Sequence, residues 1–227
     1  MDDPREAVAL GCRVLGLEDL GDLVFGHVSV RDPDGRGVWM KAAKLGFEEV
    51  SPDDVLLLDR DGNVLEGDGR RHAEFPIHTE IIAARPDVDA VVHTHGPYSV
   101  ALGATAQPLR AISHEGTFFI PPEVPRFEET GDLILTPDLG RLLAETLGPL
   151  SAVMLVNHGI VTAGPDVPTA VIGTLLLERA CRMQVRAASV GEVRRWSDDD
   201  EAPSKRRNVY SPQNLASIWE YLVRRLR

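Results

Sequence analysis

The chain has 227 residues, 43% hydrophobic and 26% charged, proportions of an ordinary globular protein with one large domain and a sizeable core. Its formal net charge of −11 argues against long basic patches and so against a nucleic-acid partner. Cys12 and Cys181 fit neither a disulfide framework nor a cysteine-rich zinc motif and are expected buried and reduced. The start Met1-Asp2-Asp3-Pro4 lacks a secretory layout and no apolar run reaches the length of a membrane span, so a cytoplasmic protein with no membrane partner is expected.

In chain order, Asp3-Pro4 opens a helix to about Leu17, with Ala7, Val8, Leu10, Cys12, Val14 and Leu15 as its apolar positions. Gly26 to Arg31 alternates like a strand, Asp32-Pro33-Asp34-Gly35 turns, and Val38-Trp39-Met40 returns as a hairpin. Val55 to Leu58 reads as a short buried strand, and Asp61-Gly62 as a turn before Val64-Leu65. Pro76 begins a helix to Ala84, closed by Arg85-Pro86, with Glu80 on a polar face and Ile77, Ile81 and Ala84 on an apolar one. Ala90-Val91-Val92 is a strand, followed by a helix from Pro97 to about Leu102 and a proline-rich loop or edge from Ile120 to Pro125. Pro137 to Leu147 is a helix, and Ala152 to Val156 is a strand with Ile160-Val161-Thr162 as its hairpin return.

Asp166 to Val190 is a long helix, offering Val171, Leu175, Leu176, Ala180, Met183 and Val185 for burial. Ser197 to Lys205 reads as a mobile linker. Asn208 to Arg227 forms an amphipathic helix packed on the domain or on a neighbouring subunit. The expected division is one α/β domain over 1–195, then a linker and C-terminal helix over 196–227. Early hairpins favour a mixed sheet flanked by helices over a fully parallel one.

The chemistry centres on histidines. In a strand, the period of two puts His93 and His95 on one face, and neutral imidazoles are good ligands for divalent transition metals. A second apolar run ends Val156-Asn157-His158-Gly159, and Glu74 lies upstream as a carboxylate. Glycine after both histidine runs suits a sharp exit from the sheet. His78, one helical turn after Glu74, either orients that carboxylate or is a structural histidine, and it stays outside the ligand set.

The runs Gly26-His27-Val28-Ser29-Val30-Arg31, Glu74-Phe75-Pro76-Ile77-His78, Arg85-Pro86 through His93-Thr94-His95, and Asn157-His158-Gly159 resemble the class II aldolase/adducin family. The resemblance implies a three-layer α/β/α sandwich around a mainly antiparallel sheet, assembled as a homotetramer with active sites near the subunit interfaces. It implies His93, His95 and His158 as metal ligands, and Glu74 as an acid/base that also ligates the metal. In the family's sugar-phosphate aldolases, an asparagine, a Thr-Gly pair and two serines hold the phosphate. Here those positions correspond to His27, Ala43-Lys44 and His72-Ala73, which disfavours a phosphorylated substrate. His27, Lys44 and His72 become substrate-binding candidates, with Lys44, Arg70 or Arg71, and His72 available to anchor a carboxylate. His114 stands where a proton-donating tyrosine of a neighbouring subunit is found, and is a second catalytic candidate.

The expected function is a metal-dependent carbon–carbon lyase, a decarboxylase of a small non-phosphorylated hydroxyaromatic or heteroaromatic carboxylate. It would use one divalent ion per chain, zinc first and manganese, iron or cobalt as alternatives. An aldolase acting on a sugar or sugar acid and a non-heme iron oxygenase on the same fold are the alternatives. A non-enzymatic scaffold like the adducin head would have lost the ligands that this chain keeps.

Overall fold

The computed structural model describes residues 3–226. The order of elements is α1 (Pro4–Leu17), β1 (His27–Arg31), β2 (Val38–Lys41), β3 (Val55–Leu58), β4 (Val64–Glu66), α2 (Phe75–Ala84), β5 (Ala90–Thr94) and α3 (Pro97–Gly103). These are followed by β6 (Arg126–Phe127), α4 (Pro137–Leu147), β7 (Ala152–Leu155), β8 (Gly159–Gly164), α5 (Val167–Val190), α6 (Glu201–Val209) and α7 (Pro212–Arg224). The strands form one sheet ordered β4-β3-β2-β1-β5-β8-β7-β6. Every pair is antiparallel except β6 with β7, so the sheet is mixed and mainly antiparallel, as expected.

Strand alternation sends side chains to two cores. Val28, Trp39, Leu57, Val92, Met154 and Ile160 join α1 and α5 in one. Val38, Met40, Leu56, Val91, Val153 and Val161 join α2 and α4 in the other. The result is an α/β/α sandwich. In this register Ser29 pairs with Val91, and His27 with His93, which pairs in turn with Val161. His27, Ser29 and His93 therefore share the face covered by α2.

That helix departs from the expected two-faced pattern. All of Phe75 to Ile82 is buried, because α4 lies close over it. Gly140 of α4 makes the approach possible, since a Cβ there would stand 2.6 Å from the Pro76 carbonyl. Glu80, expected on a solvent face, is 2% exposed and accepts two hydrogen bonds from Arg60, at 3.2 and 2.8 Å. Burial is tolerated because the guanidinium neutralises the carboxylate. Met183, expected buried on α5, is 47% exposed.

The stretch expected as a mobile linker contains the start of α6. Asp198 Oδ1 accepts from the Asp200 and Glu201 backbone N–H groups. Ala202 is fully buried, and Arg206 donates to the carbonyls of Thr117 and Pro121. The acidic run that reads as solvated chain is thus a helix start, with Asp and Glu at the positive end of the dipole. Ser211 then caps α7, whose Leu222 is buried and whose Leu215, Ile218 and Trp219 lie against the α1/α5 core. No helix among the described residues is long and apolar enough to cross a membrane.

Candidate metal centre

β5 delivers His93 on the α2 side of the sheet, and His95 follows just beyond the strand end. The β7–β8 turn delivers His158. Asn157 adopts φ +60° there, a left-handed conformation that asparagine tolerates better than most residues. Donor atoms of His93, His95 and His158 all lie within 4.8 Å of one another, and so do those of His27, Glu74 and His93.

Hydrogen bonds fix the rings of His93 and His95. His93 Nδ1 lies 2.9 Å from the Ile160 carbonyl. A carbonyl only accepts, so Nδ1 carries the proton and Nε2 presents a lone pair. His95 Nδ1 lies 2.9 Å from Asp22 Oδ2, which fixes the same tautomer through a carboxylate partner. The two Nε2 atoms then face each other at 3.0 Å. Burial, with His95 and His158 beside it, holds the His93 imidazole well below its usual range, so it stays neutral. Two lone pairs at this distance repel unless a cation lies between or beside them.

His158 supports the same reading. Both of its ring nitrogens are buried without a hydrogen-bond partner, and each orphan costs about 1–3 kcal/mol. Burial and His95 lower its pKa to about 4. Its ring stacks on that of His95, with centroids 5.3 Å apart. Gly159 makes room for this group: a Cβ there would stand 2.8 Å from His95 Cδ2 and 3.1 Å from His93 Cε1. The residues present therefore fit a divalent metal with imidazole ligands.

Glu74 sits at the rim of the cluster. Its Oε1 accepts the Ile134 backbone N–H at 2.8 Å and stands 3.5 Å from His158 Nε2. Its Oε2 lies 3.8 Å from His27 Nε2 and 3.9 Å from His93 Nε2, too far for hydrogen bonds. Burial raises the Glu74 pKa, so its proton is more readily kept than on a surface glutamate.

The other expected site residues divide. His27 is buried beside the cluster, its ring centroid 5.0 Å from that of His93. His78 does not orient Glu74. It bridges Ser29 Oγ at 2.6 Å and His27 Nδ1 at 2.7 Å, so it acts on His27 instead. His72 lies 4.5 Å from His27 between ring centroids, with its Nε2 taken by the Lys41 ammonium at 3.2 Å. Burial and that charge push its pKa down to about 3.

Lys44 is exposed, at φ +75°. The buried cation near the site is Lys41, fully covered and donating also to the carbonyls of Val24 and Ala42. No carboxylate pairs with it among the described residues. His114 is not brought to the cluster within one chain. It lines a separate cleft of about 530 Å³ with Trp196, Ser197 and Lys205.

Asp22, Lys41 and the Ile134 N–H are the groups that sequence reasoning missed. Asp22 lies in a loop without periodicity, 73 positions from His95. The pairing of β1 with β5 in the structure brings the start of one strand, and the loop before it, to the end of the other.

Comparison with known proteins identifies the family. The profile of the class II aldolase and adducin N-terminal domain matches residues 6–185. A 3,4-dihydroxyphthalate decarboxylase of Arthrobacter keyseri is 33% identical over 212 residues, covering 82% of this chain and 79% of that protein. A 4-hydroxy-3-prenylphenylpyruvate oxygenase/4-hydroxy-3-prenylbenzoate synthase of Streptomyces roseochromogenus is 35% identical, covering 82% and 68%. The solved L-fuculose 1-phosphate aldolase of Glaciozyma antarctica superposes with a TM-score of 0.85 at 26% identity, covering 98% of this chain and 88% of its own. The chain belongs to the class II aldolase and adducin N-terminal domain family.

Proposed function

We propose that this lyase is a metal-dependent decarboxylase of a small, non-phosphorylated hydroxyaromatic or heteroaromatic carboxylate. The observation that carries the reading is the cluster itself: His93 and His95 lone pairs turned toward each other, with an unpartnered His158 beside them. Held by these three residues, a divalent ion, zinc first among the candidates, would act as a Lewis acid for charge developing on a substrate oxygen as the carbon–carbon bond breaks.

The chain's own residues supply the rest. Glu74, held by Ile134 through Oε1 and raised in pKa by burial, keeps Oε2 available to hand a proton to the carbon that loses carbon dioxide. His27, buried and fixed through His78, holds its Nε2 3.8 Å from Glu74 Oε2 and positions the substrate's hydroxyl or carboxylate oxygens. The positions that the family resemblance assigns to phosphate binding hold His27, Ala43-Lys44 and His72-Ala73, which lack the small hydroxyl and amide donors for a phosphate. Apolar residues adjoin the site in sequence. Leu23 and Phe25 follow Asp22, Leu133 and Leu135 flank Ile134, and all four are exposed. They suit a substrate with an aromatic body. His114 acts from a neighbouring subunit as a second acid, in a homotetramer whose sites adjoin the interfaces.

A second reading, an iron-dependent oxygenase, is favoured by the relative named as an oxygenase and by the compatibility of imidazole ligands with iron. The test is carbon dioxide release from a panel of hydroxybenzoates and dihydroxybenzoates by metal-loaded protein without oxygen. Anaerobic release supports the decarboxylase. Turnover that requires and consumes oxygen supports the oxygenase. Cleavage only of hydroxylated sugar acids supports an aldolase.

A further inference from the structure

Glu178 lies in the middle of α5, is 8% exposed, and pairs with no cation among the described residues. Its carboxylate reaches across to the start of α3. Oε1 accepts the Tyr98 N–H at 2.9 Å and Oε2 the Ser99 N–H at 2.8 Å. Gly96, the N-cap of α3, offers no side chain for capping, and Pro97 has no N–H. Glu178 therefore satisfies the first two donors that the helix presents, with a charge suited to the helix N-terminus. The contact is close: a Cβ on Gly96 would stand 2.3 Å from Glu178 Oε2. Ser99 Oγ closes the same turn onto the Gly96 carbonyl at 2.9 Å.

The segment held this way begins with the residue after His95. β5 ends at Thr94, so no ladder fixes the backbone of His95 beyond the strand. Its ring is steered by Asp22 on one side, and its main chain is held by the Gly96–Ser99 turn on the other. We infer that Glu178 is a positioning residue for His95, a backbone clamp that sets the approach of the His95 ring to His93 and His158 and so tunes metal affinity. This rests on the metal reading of the cluster. It adds a long-range determinant that touches neither metal nor substrate.

The test measures Co²⁺ and Zn²⁺ affinity of the full chain by chelator competition, with the Co²⁺ absorption spectrum as a report on ligand geometry. Glu178→Gln keeps the side-chain volume but turns an amide N–H₂ toward a backbone donor. It should weaken metal binding about tenfold or more, the scale typical of groups that orient metal-binding histidines, and alter the Co²⁺ spectrum. Gln184→Ala is the control. Gln184 clamps another loop from the same helix, accepting from the Arg110 N–H at 2.6 Å and donating to the Pro108 carbonyl at 2.8 Å. Its loss should lower thermal stability and leave metal affinity unchanged.

Gly96→Ala, which displaces the carboxylate from the opposite side, should reproduce the Glu178→Gln effect and decides the matter if Glu178→Gln does not fold. In a His95→Ala background, Glu178→Gln should change the remaining affinity no further. Wild-type affinity in Glu178→Gln, or equal loss in Glu178→Gln and Gln184→Ala, overturns the clamp. A wild-type chain that binds no metal overturns instead the metal reading on which the clamp rests.

Discussion

Replacing Gly159 with alanine probes the histidine cluster from its floor. A methyl carbon at 159 would lie 2.5 Å from the Thr94 carbonyl oxygen, 2.8 Å from His95 Cδ2 and 3.1 Å from His93 Cε1, where a comfortable contact is about 3.5–4.0 Å. The carbonyl belongs to β5, whose Thr94 pairs with Ile160 of β8. Relief therefore requires the two strands to part, or the rings to rotate, by roughly 1 Å at the point where the ligands converge. Overpacking of this kind costs about 1–3 kcal/mol. Ligands moved by more than about 0.5 Å lose a productive geometry. Gly159→Ala should thus lower apo-protein stability by about 1–3 kcal/mol in urea titrations, and weaken Co²⁺ or Zn²⁺ binding at least about tenfold in chelator competition. Gly191→Ala, with no heavy atom within 4 Å of the added carbon, is the matched control and should alter neither. Metal affinity unchanged in a folded Gly159→Ala protein would refute the placement of the ligands around this glycine.

Other consequences follow from the same contacts. Asp22→Ala removes the acceptor of His95 Nδ1–H and should reduce metal affinity by about 10–100-fold; an unchanged dissociation constant would show that the carboxylate does not orient the ring. Glu74→Gln keeps an acceptor for the Ile134 N–H but cannot carry the proton. The expected loss in kcat is about 10²–10⁴-fold, measured by carbon dioxide release, and a variant with wild-type turnover would remove Glu74 from the chemistry. Acid should destabilise the apo-protein. His72 and His78 have folded pKa values lowered to about 3, chiefly by burial, with the Lys41 charge next for His72 and the His72 charge for His78. Below their ordinary value of about 6.5 the unfolded chain binds protons that the folded chain refuses, so stability falls with pH by about 1.4 kcal/mol per unit for each group, down to the folded value. Glu74, with its raised pKa, works in the opposite direction above the ordinary carboxylate value. Urea titrations of apo-protein at pH 7 and pH 5 should differ by about 4 kcal/mol from these two histidines, with His27, His93 and His158, also lowered by burial, adding in the same direction before that offset; equal stabilities would mean that these rings are not buried neutral.

The legible parts of this molecule were those written in periodicity and in local chemistry. Val38 to Met40, Val55 to Leu58 and Ala90 to Val92 alternate or run apolar between turn signals, and all three became strands. The long helix expected from Asp166 is α5, where the Asp166 side chain caps the start by accepting the Thr169 N–H. His93, His95, His158 and Glu74 converge because each stands at or next to the end of an element that the sequence delimits. Less legible were features that depend on a partner far along the chain. Glu80 looks like a solvent-facing glutamate until Arg60 and α4 cover it. Lys41 and Lys44 are three positions apart in one lysine-containing stretch, and only the fold buries the first and exposes the second. His78 stands one helical turn from Glu74, and the β1 register decides that Ser29 and His27 bond it instead. The helix at Glu201 hides in an acidic run that composition alone reads as solvated chain, and its docking depends on carbonyls of Thr117 and Pro121.

The central claim is that His93, His95 and His158 together hold a metal ion, and metal content tests it most directly. Elemental analysis of protein purified without added metal, then of protein reconstituted with Zn²⁺ and dialysed, should give about one ion per chain for the wild type and a loss of that ion in a folded His158→Ala variant. A wild-type chain that retains no metal after reconstitution, or a His158→Ala chain that retains it in full, would contradict the claim.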